Sequence, residues 1–152
     1  MCIRDSRDSI RKNGSAILVE GYMDFLKLYQ GSITNILAIS GTAFTKEHTY
    51  SLHRITKKVV LLYDADDAGA NAAIKAGWVL LKGDLDPLVV RPPNGLAPDD
   101  WIDKAGKKGV QQSILKPKSY INFNILFHKG DILKGADRKE YITYLALSLI
   151  HI

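Results

Sequence analysis

Four carboxylates sit where two apolar runs end. Glu20 follows Ser15–Val19, and Asp24 lies one helical turn beyond it. Asp64 follows Val59–Tyr63, and Asp66 comes two residues later. Acids brought together repel and raise one another's pKa, so such a group is poorly stable without cations. Hard divalent ions relieve the repulsion. Mg²⁺ favours one or two carboxylates together with water and phosphate. Two such ions activate an attacking oxygen and stabilise a leaving one. The pattern therefore points to Mg²⁺, or Mn²⁺ in its place, and to phosphoryl transfer. Gly21 and Gly69 suit tight turns that let phosphate approach the backbone. Each piece also has a plainer explanation. Glu20 can serve as the acid that meets a helix dipole, and Asp66 and Asp67 as helix-start acids. A strand ending in Glu-Gly followed by a later strand ending in Asp-x-Asp is sharper than either part.

The elements that must position these acids alternate. Ser15–Val19, Asn35–Ile39, Val59–Tyr63 and Pro87–Val90 are short apolar runs that read as buried strands. Between them lie helices over Tyr22–Gln30, stopped by Gly31, from Thr45 to about Arg54, and over Ala70–Leu81, closed by Gly83. This order predicts an α/β fold: a parallel sheet of about four strands with helices on both faces. Ligands in such sheets bind at the carboxyl ends of the strands, where these acids fall. After Pro98 the segments Asp99–Ala105, Gly109–Leu115, Tyr120–His128 and Asp137–Ala146 read as helix or loop. They suggest a partial helical subdomain over 107–146, following a catalytic domain over 7–106.

The formal net charge of +5 over 152 residues suits a polyanionic partner without requiring one. No apolar run approaches the ~20 residues of a membrane helix. The single cysteine, Cys2, excludes an intramolecular disulfide or a cysteine-based zinc site. The two ends read as translated sequencing adaptor. One oligonucleotide encodes Met1–Ser6, and its reverse complement encodes Leu147–Ile152. On that reading residues 1–6 and 147–152 are set aside, and the gene extends both ways. His48, His53 and His128 lack metal-ligand spacing. Tyr63, Phe25 and Trp78 read as core. Of the basic residues, Arg91 lies just past the fourth strand and is a candidate at the active edge. Lys57 and Lys58 are weaker candidates for nucleic-acid contact, as are Lys107-Lys108 and the Lys116/Lys118 pair.

Glu20 with Asp64 and Asp66 matches the signature of the Toprim fold, shared by primases, topoisomerases and some nucleases. The surrounding words resemble the bacterial replicative DNA primases. Val19–Asp24 (VEGYMD) is similar to that family's most recognisable motif. Ile33-Thr34-Asn35, then Gly41-Thr42-Ala43 with Thr45 and His48, resembles its next stretch. Tyr63–Asp66 with Ala68-Gly69 resembles its Asp-Gly-Asp-x-Ala-Gly segment, and Pro98-Asp99 the end of its Asp-Pro-Asp motif. The resemblance covers about 10–106 well. Two positions depart from the pattern: Ala65 replaces a usual Gly, and Ala97 replaces the first Asp of Asp-Pro-Asp.

The resemblance implies a cytoplasmic, template-directed RNA polymerase that makes short RNA primers on single-stranded DNA. Glu20, Asp64 and Asp66 would organise the metal ions, with Glu20 alternatively a general base. Asp24 and Asp99 rank second. The implied partners are the single-stranded template, the RNA primer, ribonucleoside triphosphates and the replicative helicase. The helicase-binding region and the family's zinc site would lie outside this segment. Alone, the segment would bind metal but make primers poorly or not at all. Another Toprim enzyme is the first rival, but no domain carrying a topoisomerase's nucleophilic tyrosine is visible. A phosphotransfer receiver or nucleic-acid-binding module is the second. Glu20 alone on its strand, and Arg91 where a receiver needs lysine, speak against a receiver.

Overall fold

The computed structural model describes residues 3–39, 44–93, 95–128, 143 and 146. Its elements run α1 (Ile3–Asn13), β1 (Ser15–Val19), α2 (Tyr22–Gln30), β2 (Ile36–Ala38), α3 (Lys46–His53) and β3 (Lys58–Leu61). They continue with α4 (Asp67–Lys82), β4 (Asp86–Val89), α5 (Pro98–Ile114), β5 (Lys118–Ser119) and α6 (Tyr120–Phe127). The sheet order is β2-β1-β3-β4-β5. β1 to β4 are mutually parallel, and β5 runs antiparallel to β4.

Strand alternation divides the core in two. Ala16 and Leu18 face one layer, which contains Ile10 of α1, Leu52 of α3, Ala73 of α4 and Tyr120 of α6. Ile17 and Val19 face the other, with Leu28 of α2 and Trp101, Ile102 and Val110 of α5. Both faces of the sheet are covered, which is why β1 reads as a continuous apolar run. Full burial of a side chain such as Leu18 or Leu61 contributes about 1.5–3 kcal/mol.

The four parallel strands and helices on both faces agree with the fold read from the sequence. Three features were not anticipated. α1 precedes β1, and among its described side chains Ile10 and Ser6 are buried, the Ser6 hydroxyl donating to the Ile36 carbonyl at 2.7 Å. Two isoleucines seven residues apart, Ile3 and Ile10, are too little apolar periodicity to announce a helix. β5 is two residues long and exists only by pairing Lys118 with Val89 and Ser119 with Leu88. α5 is broken at Gly106, where φ is 66° and ψ 171°, a left-handed conformation that glycine adopts without strain. The break separates the two helical segments read on either side of it. Residues 107–128, read as a partial helical subdomain, pack on this same sheet through β5 and α6. Residues 40–43, with Gly41-Thr42-Ala43, lie outside the described residues. So do both extreme ends and nearly all of 129–146.

Candidate active site

β1 and β3 are adjacent, with Leu18 opposite Leu61. The chain leaving each strand therefore ends at the same edge. Glu20 leaves β1 there and Asp64 leaves β3. The Leu62 N–H donates to the Leu18 carbonyl at 2.9 Å, extending the ladder towards both acids. Asp66 is the N-cap of α4, and its Oδ1 accepts the Gly69 N–H at 2.7 Å. This is an ordinary reason for Asp at a helix start. It occupies one carboxylate oxygen and fixes the other. Gly69 is required here, because a Cβ would run into the Asp64 carbonyl oxygen and lie 3.0 Å from that residue's carbonyl carbon.

Asp24, on the first turn of α2, is nearly buried and engages both oxygens. Oδ2 accepts the N–H of Gly21, the N-cap of α2, at 3.0 Å. Oδ1 accepts the Asp99 N–H on the first turn of α5 at 3.3 Å. Asp24 thus ties the start of α2 to the start of α5. Its placement beside Glu20 is as the spacing indicated. The tie to α5 had no sequence signal, because it spans 75 residues. Ala97 is the N-cap of α5, with Pro98 in the first turn. The Ala65 N–H donates to the Leu96 carbonyl at 3.1 Å, joining this loop to the Asp64–Asp66 turn.

The acids act on one another. Glu20 is raised above its ordinary pKa by burial and by Asp64, Asp24 and Asp66. Asp64 is raised by burial, then by Asp66 and Asp99. Asp24 is raised by burial, against which the Gly21 N–H pulls down, with Asp64 and Asp99 adding to the rise. The structure therefore brings Glu20, Asp24, Asp64, Asp66 and Asp99 into one electrostatic group. Glu20 Oε1 is buried and has no hydrogen-bond partner. An orphaned acceptor in this setting suits a cation. Among the described residues no three acids converge tightly enough to enclose an ion by themselves. The arrangement fits an ion held by one or two carboxylates, with phosphate and water completing its shell.

Two further features lie around the acids. The Tyr63 hydroxyl is buried beside Glu20 without a hydrogen-bond partner, and burial followed by the Glu20 charge pushes its pKa up. Sequence reading placed Tyr63 in the core, where the ring lies, and no signal marked its hydroxyl. Arg91 donates from its guanidinium to the Asp66 carbonyl at 3.0 Å, so it reaches the active edge. Lys57 and Lys58 do not. They lie at the amino end of β3, opposite the acids, and Lys57 pairs with Asp84. Their position before the strand, with Asp64 after it, puts them at its amino end by chain order alone.

Comparison with known proteins places this geometry. Residues 17–102 match the family described as Toprim-like. The DNA primase of Aquifex aeolicus is 40% identical over 110 residues, covering 72% of this chain and 22% of that protein. The chain thus spans about a fifth of the curated relatives it matches. The crystal structure of the zinc-binding and RNA polymerase domains of the Aquifex aeolicus primase superposes with a TM-score of 0.77 at 35% identity, over 86% of this chain and 32% of that one. A structure of a DnaG primase catalytic domain bound to single-stranded DNA gives 0.79 at 28% identity, over 95% and 47%. Among the described residues no helix is long and apolar enough to cross a membrane. With the sheet order, the acid pair at the ends of β1 and β3 and these matches together, the chain belongs to the Toprim-like family, alongside the catalytic domains of bacterial DNA primases.

Proposed function

We propose that this segment supplies the metal-organising carboxylates of a primase, which joins ribonucleotides into short primers on a single-stranded DNA template. The observation that carries the reading is the meeting of Glu20 with Asp64 and Asp66 at the carboxyl ends of adjacent parallel strands, with Glu20 Oε1 buried and unpaired. Bound Mg²⁺ or Mn²⁺ would neutralise charge on the attacking and leaving oxygens. Glu20 and Asp64 offer the ligand oxygens, and Asp66 offers the oxygen not taken by Gly69. Asp24 is a positioning residue, because both its oxygens hold backbone N–H groups. Asp99 adds negative charge at the rim. Arg91 steadies the Asp66 turn and presents a cation to phosphate. The raised proton affinity of Glu20 also suits it to accept the proton of the attacking hydroxyl, and metal binding by Glu20→Gln separates the two roles.

The template contact follows from likeness to a catalytic domain solved with single-stranded DNA. Ribonucleoside triphosphates, the primer and a replicative helicase complete the proposed set of partners. The zinc region and the helicase contact belong to parts of the relatives that this segment does not span. A chimera tests the reading: residues 17–102 replace the matching segment of the Aquifex aeolicus primase. Primers should form on single-stranded DNA and vanish with Asp64→Ala. Cleavage of the template in place of primer synthesis would contradict the proposal and favour a nuclease.

A further inference from the structure

Tyr63 is 4% exposed, and its ring belongs to the core layer that holds Leu18, Leu61 and Ala70. Leu18 pairs with Leu61 across β1 and β3, and the Leu62 N–H carries that ladder one step further. Residues two apart along a strand share a face. Continued to the ends of these strands, the register therefore sets Glu20 beside Tyr63, on the face that holds Leu18 and Leu61. The Glu20 charge is accordingly felt at the phenol, which burial also acts on, and both keep its proton in place. Each of the two side chains ends in a buried oxygen without a hydrogen-bond partner, the Tyr63 hydroxyl and Glu20 Oε1. One is a donor and the other an acceptor.

The neighbouring acids are differently placed. Asp66 has the Gly69 N–H behind it, and Asp24 has two backbone N–H groups. Glu20 Oε1 has no such support. A carboxylate that holds a metal ion is ordinarily fixed by hydrogen bonds from its far side, which set its orientation. A carboxylate oxygen has two lone pairs, so it can take an ion and a phenol together. The terminal torsion of a glutamate is broad, so the group turns to meet both at little cost. A buried hydroxyl left unpaired costs stability, and its retention calls for a reason.

We propose that Tyr63 is a positioning residue for Glu20: its hydroxyl donates to Glu20 Oε1 when a divalent ion draws that carboxylate into place, and so fixes the angle at which Glu20 meets the ion. This rests on the metal role given to Glu20 above and goes beyond it by assigning that carboxylate an orienting partner.

Tyr63→Phe keeps the ring and deletes the hydroxyl. The test combines calorimetric titration of Mn²⁺, thermal unfolding in EDTA and near-ultraviolet absorption, on wild type and variant. Mn²⁺ should bind the variant roughly tenfold more weakly. In EDTA the variant should melt no lower than wild type, because the hydroxyl it loses has no partner. Mn²⁺ should shift tyrosine absorption of the wild type to longer wavelength, as a phenol does when it donates to a carboxylate, and the variant should show no shift. A hydroxyl that only fills the core predicts equal Mn²⁺ affinity and no shift in the wild type, and either result would overturn the proposal. A variant that melts lower in EDTA and binds Mn²⁺ weakly would assign Tyr63 to packing and overturn it too. Wild type that binds no Mn²⁺ would sink the metal reading and this proposal with it, whereas equal binding by wild type and variant would leave the metal reading standing.

Discussion

Replacing Gly69 with alanine bears on the link between fold and site. Gly→Ala in a helix ordinarily stabilises by about 1 kcal/mol. Here the added Cβ meets the backbone of Asp64, with the carbonyl carbon and the Asp64 Cβ both 3.0 Å away and the carbonyl oxygen closer still. Backbone atoms at the end of a central strand cannot rotate aside as a flexible side-chain tip can. Overpacking of this kind costs about 1–3 kcal/mol. The propensity gain offsets part of that, leaving a net loss of up to about 2 kcal/mol. For a chain of this size the melting temperature should fall by up to about 8 °C. The turn opens by displacing Asp64 from Asp66, whose Oδ1 is held by the N–H of residue 69. Mn²⁺ affinity should therefore fall roughly tenfold, as for loss of a supporting contact around a metal. Thermal unfolding with and without Mn²⁺, together with calorimetric titration, reads both effects. A variant that melts higher than wild type and binds Mn²⁺ normally would refute the packing argument and the role of this turn.

Three other perturbations have definite outcomes. Glu20, Asp24 and Asp64 all have folded pKa values above their ordinary ones, so the folded state holds these protons more tightly than the unfolded state. Their contribution to stability is present below the unfolded carboxyl range and is lost as pH rises through the raised folded values. The metal-free protein should lose stability across that window, Asp64→Asn should flatten the loss, and saturating Mg²⁺ should reverse it; denaturant titrations at several pH values measure all three. Tyr120→Phe removes a buried hydroxyl that donates to the Ile74 carbonyl at 2.8 Å and accepts from Asn124 at 3.2 Å. It should cost about 1–3 kcal/mol in chemical denaturation, and no loss would mean that α6 is not seated on α4 as described. Lys57→Ala removes an exposed partner of Asp84 at the amino end of β3. Stability should change by less than about 1 kcal/mol and metal binding not at all, whereas weaker metal binding would contradict the placement of Lys57 away from the acids.

The parts of this molecule legible in the sequence are those with local causes. β1 and α2 have the limits read from the chain, because a continuous apolar run and glycines at both ends of the helix mark them. The grouping of Glu20 with Asp64 followed from two strands ending in acids, given that parallel strands share a carboxyl edge. What was not legible depends on distant partners. The two oxygens of Asp24 are claimed by groups 3 and 75 residues away, and only the first is a local pattern. β5 is defined by Val89, not by its own two residues. Lys57 and Lys58, by contrast, precede the strand that Asp64 follows, so their place at the opposite end was already legible in the order of the residues.

Calorimetric titration of Mg²⁺ and Mn²⁺ into the wild-type chain and into Asp64→Ala tests the central claim most directly. The account predicts binding to the wild type that disappears in the variant while its fold, read by circular dichroism, is kept. Unchanged binding by the variant, or none by the wild type even with nucleotide present, would contradict the claim that these carboxylates organise metal.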